Sequence, residues 1–231
     1  MTDHTVNTPD TLPDARLSAQ KVEAIYDSLS SFYDIWGGLT ESKARNRGIA
    51  LSNIQEGEQV LEVAAGTGLI LRQIAPLNRT GTIYGVDISQ GMLAKAQHKL
   101  KEFHNINLKQ ASALALPFNS QQFDLVFNAY MFDLLPYQQM PAVMAEFWRV
   151  LKPGGRMVLI NMTEGEKFGS QLYQKLYNLN PSLLGGCRGV RMANSVTETG
   201  FNLQLREYYQ QMFFPSEVLL AKKPVNKISQ Y

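Results

Sequence analysis

Short apolar runs and segments of helical period take turns along most of this chain. Residues 60–63, 82–86, 123–127 and 156–161 are apolar runs of strand length, and residues 107–110 form a weaker one. Between them, Leu69–Ile74, residues 90–101 and residues 141–150 carry apolar side chains at helical spacing. Met92, Leu93 and Ala96 share the inward face of the second helix, and Phe147 and Val150 serve the third. Ser89 stands where an N-cap is needed, and Lys152-Pro153-Gly154-Gly155 reads as a turn. Strand and helix in regular alternation predict an α/β protein with a parallel, doubly wound sheet.

The pattern changes at both ends. Residues 1–17 are mostly polar, include Pro9 and Pro13, and predict a flexible tail. Val22, Ile25 and Leu29 then mark one face of a helix, followed by Phe32, Tyr33, Ile35 and Trp36. A further helix begins at Thr40 or Glu41 and runs through Ala50. The aromatic leader over 18–50 is either edge packing or a flap over a ligand. Residues 164–190 are too long for a simple connection, and Leu172, Tyr173, Leu176, Tyr177 and Leu179 predict a small helical cap. A last helix within 190–199 closes at Gly200, and residues 201–209 and 211–221 read as two late strands. The expected organisation is one domain over 18–223, with a flexible tail over 224–231.

Composition narrows the classes. Hydrophobic residues make up 45% and the formal net charge is +2, which fits a globular domain and gives no electrostatic case for nucleic acid. The lone Cys187 excludes an internal disulfide framework. His4, His98 and His104 are too scattered for a zinc cluster, so no metal is expected. The opening MTDHTVNTPD has no basic region followed by an apolar run, and no apolar stretch is long enough to span a membrane. A cytoplasmic enzyme is expected, with peripheral membrane contact left open.

The chemistry concentrates on Gln59-Val60-Leu61-Glu62-Val63-Ala64-Ala65-Gly66-Thr67-Gly68. A buried strand running into small residues lets backbone approach a ligand at the strand's carboxyl end. The helix opening at Leu69 offers unpaired N–H groups to a carboxylate or other anion. The next strand ends at Asp87, where a carboxylate is placed to accept hydrogen bonds from a ribose diol.

In order, VLEVAAGTG at 60–68, YGVDIS at 84–89, ALALPF at 113–118, FDLVFNAY at 123–130 and RVLKPGGRMVLI at 149–160 resemble the class I S-adenosylmethionine-dependent methyltransferases. The resemblance is strongest to the ubiquinone/menaquinone-biosynthesis-like branch. It implies a seven-stranded mixed sheet in the order 3-2-1-4-5-7-6, flanked by helices, with one antiparallel strand. It further implies that Ala64, Gly66 and Gly68 approach the amino-acid and sulfonium parts of the cofactor, while Glu62 supports the loop or receives the ammonium group. Asp87 would bind both ribose hydroxyls, and Ile88 and Met92 would face the adenine. Ala113 and Leu114 would line that pocket, and Ser112 stands where the family often has Asp. Asn128, Ala129 and Tyr130 would flank the methionine arm, with Tyr33 closing over it. The quinone branch often carries an Arg-Asn pair after strand four, where this chain has Asn128-Ala129.

The implied chemistry is direct methyl transfer to an apolar or amphipathic small molecule, such as a phenol, a phospholipid amine or a secondary metabolite. Tyr130 and Asp133 follow the right strand to serve as general bases, or as a pocket wall and a loop cap. Arg188 and Arg191 are either anion contacts or solvated cap residues. A noncatalytic cofactor-binding or scaffold protein and an NAD-dependent oxidoreductase are the competing readings.

Overall fold

The computed structural model describes residues 41–163, 188–211 and 214–225. Tyr33 and the rest of the aromatic leader up to residue 40, the predicted cap over 164–187 with Cys187, and the 1–17 tail lie outside those residues.

Five helices and seven strands follow one another. They are α1 (Ser42–Ser52), β1 (Gln59–Val63), α2 (Leu69–Ile74), β2 (Thr82–Asp87), α3 (Gln90–Lys99) and β3 (Ile106–Gln110). β4 (Phe123–Ala129), α4 (Met140–Val150), β5 (Leu151–Met162), α5 (Ala193–Glu198), β6 (Asn202–Gln211) and β7 (Phe214–Lys222) complete the described chain. The strands form one sheet in the order β3-β2-β1-β4-β5-β7-β6. β1, β2, β3, β4 and β5 are mutually parallel, and β7 runs antiparallel to both β5 and β6. The expected seven-stranded mixed sheet with one reversed strand is what forms.

Alternation along the strands divides the core into two layers. Leu61, Val126, Leu159 and Leu219 join α4 residues Val143, Phe147 and Val150 on one face. Val60, Leu125, Phe127, Val158, Ile160 and Val218 join Leu71, Ile74 and Ala96 on the other. Side chains that point alternately up and down a strand require helices on both faces, which is why the central strands are apolar almost throughout. On the second face α1 packs so close that a Cβ on Gly48 would lie 2.7 Å from Ile160. Its far end meets Arg156, which donates to the carbonyl of Ser52 and pairs with Glu58. The start of α1 therefore points to the carboxyl ends of the parallel strands. Among the described residues no helix is long and apolar enough to cross a membrane.

The predicted turn at 152–155 is a correction. Leu151 already pairs with Phe123, Arg156 pairs with Leu125, and the intervening residues bulge out of one continuous strand. Gly154 has φ +79, and its N–H donates to the Lys223 carbonyl at 2.9 Å. The Lys-Pro-Gly-Gly signal is local and real, but sheet pairing on either side absorbs it as a bulge. Lys223 fastens this corner. Its Nζ donates to the carbonyls of Trp148 and Leu151, at 2.6 and 2.8 Å, and lies 4.9 Å from the Trp148 ring centroid. Those carbonyls end α4, where a cation also complements the helix dipole. Replacing Lys223 with Ala is expected to lower unfolding free energy by about 1–3 kcal/mol, read by urea denaturation. A loss below about 0.3 kcal/mol would remove this anchor from the account.

Candidate active site

The loop from β1 to α2 is shaped by backbone. Ala64, Gly66 and Gly68 have φ of +59, +53 and +79, so three of five consecutive residues are left-handed. Glycine takes this conformation freely, whereas Ala64 adopts it at a cost of roughly 1 kcal/mol or more. At Gly68 a side chain would also strike Leu100, 2.8 Å from the ideal Cβ position. At Gly66 an added Cβ would meet nothing within 4 Å, so its open side leaves room for another molecule to touch backbone.

Asp87 holds this loop in place. Its Oδ2 accepts from the N–H of Gly66 at 2.8 Å, and its Oδ1 accepts from the N–H of Ser89 at 2.9 Å. Ser89 Oγ accepts from the N–H of Met92, which makes it the N-cap of α3. Met92 itself is buried, while Ile88 is 49% and Leu114 41% exposed. Two apolar side chains left open beside neighbouring strand ends suit a flat apolar ligand surface. Ser112 Oγ accepts from the N–H of Leu114 at 3.2 Å and thus closes a local turn. Ala113 packs against the apolar core nearby.

Glu62 is the anomaly of β1. It is 2% exposed, and among the described residues its Oε2 has no hydrogen-bond partner. Burial, reinforced by the charge of Asp87, pushes its carboxyl well above the ordinary range, with a Leu71 N–H and Arg45 acting against the shift. Asn128 is fully buried; its Nδ2 donates to the Val63 carbonyl at 2.7 Å and its Oδ1 has no partner. Ala129 is half-buried beside it.

The two candidate bases part company. Tyr130, at φ +54, turns its ring against Phe214 and its hydroxyl to Ser216 Oγ at 2.9 Å. Burial, with the Glu41 charge next, raises its phenol well above the usual value, so it keeps its proton and acts as a packed wall. Asp133 is fully buried in a short 3-10 turn, Phe132–Leu134, within the electrostatic reach of Glu41 and Tyr130. Arg188 is buried rather than solvated. It donates to the Asp133 and Leu135 carbonyls, and its guanidinium lies 4.5 Å from the Tyr137 ring centroid. Arg191 is exposed.

Glu41 and Arg45 join this site without having drawn attention as site residues. They are 5% and 8% exposed at the start of α1, and among the described residues Arg45 Nε has no hydrogen-bond partner. Burial raises the Glu41 carboxyl to about 7; Arg45 opposes that shift and Asp133 adds to it. The only linear clue was a Glu and an Arg four apart at a helix start, a pattern typical of exposed surface.

The comparisons with known proteins fall on this geometry. The methyltransferase-domain family matches residues 60–155, from the start of the loop strand into β5. The demethylmenaquinone methyltransferase of Bacillus licheniformis is 32% identical over 162 residues, 67% of this chain and 68% of that protein. The ubiquinone/menaquinone biosynthesis C-methyltransferase of Stutzerimonas stutzeri is 33% identical over 69% of this chain and 64% of its own length. These alignments thus span about two thirds of the relatives. Among solved structures the cyclase SpnF superposes with a TM-score of 0.73 at 18% identity, over 93% of this chain and 99% of that one, which speaks for the fold alone. The chain belongs to the class I S-adenosylmethionine-dependent methyltransferases and is related, within them, to the demethylmenaquinone and ubiquinone/menaquinone enzymes. It is an enzyme that methylates a small organic molecule.

Because the folded chain holds the Glu41 proton more tightly than an unfolded chain does, its contribution to stability is complete below about pH 4.5 and is lost as pH rises through about 7. That change is about 3 kcal/mol at most. In urea titrations of cofactor-free protein, Glu41→Gln should flatten the fall in stability across this window and leave the protein more stable at pH 8. A slope identical to wild type would show that Glu41 titrates normally.

Proposed function

We propose that the chain transfers the methyl group of S-adenosylmethionine by direct displacement to an apolar or amphipathic small molecule, with a quinone-like or phenolic ring the favoured class. The observation that carries the cofactor reading is the buried Glu62 Oε2, which has no hydrogen-bond partner among the described residues, on the strand that leads into the open loop at Gly66. A ligand ammonium group supplies the donor that Glu62 lacks and favours its ionised form. Arg45, within electrostatic reach of Glu62, supplies the opposite charge for a carboxylate. Together they fit the two ends of a zwitterionic amino-acid arm. Asp87 offers its carboxylate to a sugar diol, and Ile88, Met92, Ala113 and Leu114 offer apolar surface to a base, with Ser112 as a neutral neighbour.

When bound, S-adenosylmethionine supplies an electrophilic methyl carbon that the acceptor attacks with loss of the neutral thioether. The chain's own part is to align the reactants and exclude water, since no covalent enzyme intermediate is needed. An acceptor that sheds a proton has Glu41 and Asp133 as buried carboxyls at the carboxyl end of the sheet. Glu41, at about 7, is matched to proton transfer near neutral pH. The names of the quinone-methylating relatives support a ring acceptor, although the Asn128-Ala129 departure separates this chain from their motif.

Calorimetric titration tests the site directly. Wild type should bind S-adenosylmethionine saturably, Asp87→Ala should weaken it by about a hundredfold, and Glu62→Gln by about tenfold. Folded wild-type protein that gives no binding heat at any temperature, and no thermal shift, would overturn the reading.

A further inference from the structure

β3 (Ile106–Gln110) ends the sheet, and among the described residues β2 is its only paired neighbour. The ladder shows which backbone groups that pairing uses. The Asn105 carbonyl accepts from the N–H of Ile83, and the N–H of Ala111 donates to the Asp87 carbonyl. Backbone groups alternate in direction along a strand, so Asn107 and Lys109 also turn theirs toward β2. The N–H and C=O groups of Ile106, Leu108 and Gln110 therefore point away from the sheet.

Beside this edge lies an open groove of about 330 Å³ between β3 and α3. Ile106 and Leu108 wall it from the strand, Leu93 and Leu100 from the helix and its end, and Phe103 from the turn between them. Leu93 and Leu100 are buried, whereas Phe103, Ile106 and Leu108 are only half-buried. Two residues thus serve twice, with backbone offered outward and apolar side chains lining the groove. An added strand uses both features: main-chain bonds along the edge and a recess for alternate side chains.

Charge selects the occupant. Residues 90–110 carry Lys95, Lys99, Lys101 and Lys109 against Glu102 as the sole acid. Lys99 donates to Thr67 Oγ1, while Lys95, Lys101 and Lys109 are exposed. Lys101 lines the groove, and among the described residues no carboxylate does. Lys109 stands on the edge strand itself. A second copy would bring the same lysines to the joint, and lysine on an edge strand deters self-pairing. Lipid cannot pair outward N–H and C=O groups, and phosphate accepts from the first but gives nothing to the second. An extended polypeptide with acidic side chains meets each demand. Its backbone completes the ladder, its alternate apolar side chains enter the groove, and its carboxylates face the lysines.

We propose that β3 is a docking edge, where an extended acidic segment of a partner protein adds as a further strand with its apolar side chains against α3. The edge is distinct from the methyl-transfer site and rests on no part of that reading.

The probe is an acetylated peptide of four Glu-Val repeats, titrated into the full chain at about 150 mM salt. It should bind at least about tenfold more tightly than its Lys-Val counterpart. On binding, amide hydrogen exchange at Ile106, Leu108 and Gln110 should slow by about tenfold or more, while Asn107 and Lys109 change by less than about twofold. Leu108→Pro removes one outward N–H and leaves the β2 ladder intact, as an edge strand allows, and should weaken the peptide by about tenfold or more. The double variant Lys101→Glu, Lys109→Glu changes exposed positions only. It should lose the acidic peptide, gain the Lys-Val one and keep the wild-type melting temperature. Gln110 is left unaltered because its Nε2 donates to the Ile88 carbonyl beside Asp87. No binding of the acidic peptide, equal binding of both peptides, binding without protection of the three outward amides, or wild-type affinity in the charge-reversed variant would overturn the docking edge. So would protection of those amides in peptide-free protein that grows with protein concentration, which would give the edge to a second copy.

Discussion

The carboxylate of Asp87 ties two strand ends into one site. By accepting from Gly66 and from Ser89 it fixes the β1–α2 loop against the start of α3. Without that clamp, three left-handed residues among five would have little reason to stay ordered, since two of them gain conformational freedom when released. The charge that organises the loop also acts on its neighbour. Asp87 adds to the burial that pushes the Glu62 carboxyl above its ordinary range, so the order of the loop and the electrostatics of its strand share one cause.

Burial gives the carboxyl end of the sheet its character. Glu41, Arg45, Glu62, Asn128, Asp133, Asn161 and Thr163 all lie below one tenth exposure there, while the opposite end of the sheet uses its charges in ordinary pairs. Arg156 with Glu58 and Lys152 with Asp124 are partnered at 2.7 Å. Paired charges hold strands and helices together, whereas a concentration of buried polar groups marks a site. The contrast between the two ends locates function more firmly than any single residue does.

Tyr130 shows how packing decides a role that chemistry leaves open. A tyrosine just after the fourth strand is a reasonable base on paper. In the fold its hydroxyl reaches Ser216 on β7, and the surrounding apolar layer makes phenolate unfavourable. Glu41 is the reverse case. As the residue before a helix it looks like a solvated acid, yet the close seat of Gly48 on Ile160 draws the start of α1 over the strand ends and desolvates it.

The alternation of strands and helices, the loop at 64–68, the acid at 87 and the methyltransferase class are all legible in the linear chain. Each is written within a few neighbouring residues, because strand period, left-handed backbone and capping are local properties. Sheet pairing and packing, not local pattern, turn the Lys-Pro-Gly-Gly segment into a bulge and set Arg188 against backbone carbonyls. Folding alone brought Arg45 to Glu62 and Glu41 to Asp133, and set Asn161 and Thr163 diagonally beyond Asn128. These depend on strand register and on a helix crossing the sheet, which join positions distant in the sequence. No local pattern records which polar atoms such a crossing will leave without partners.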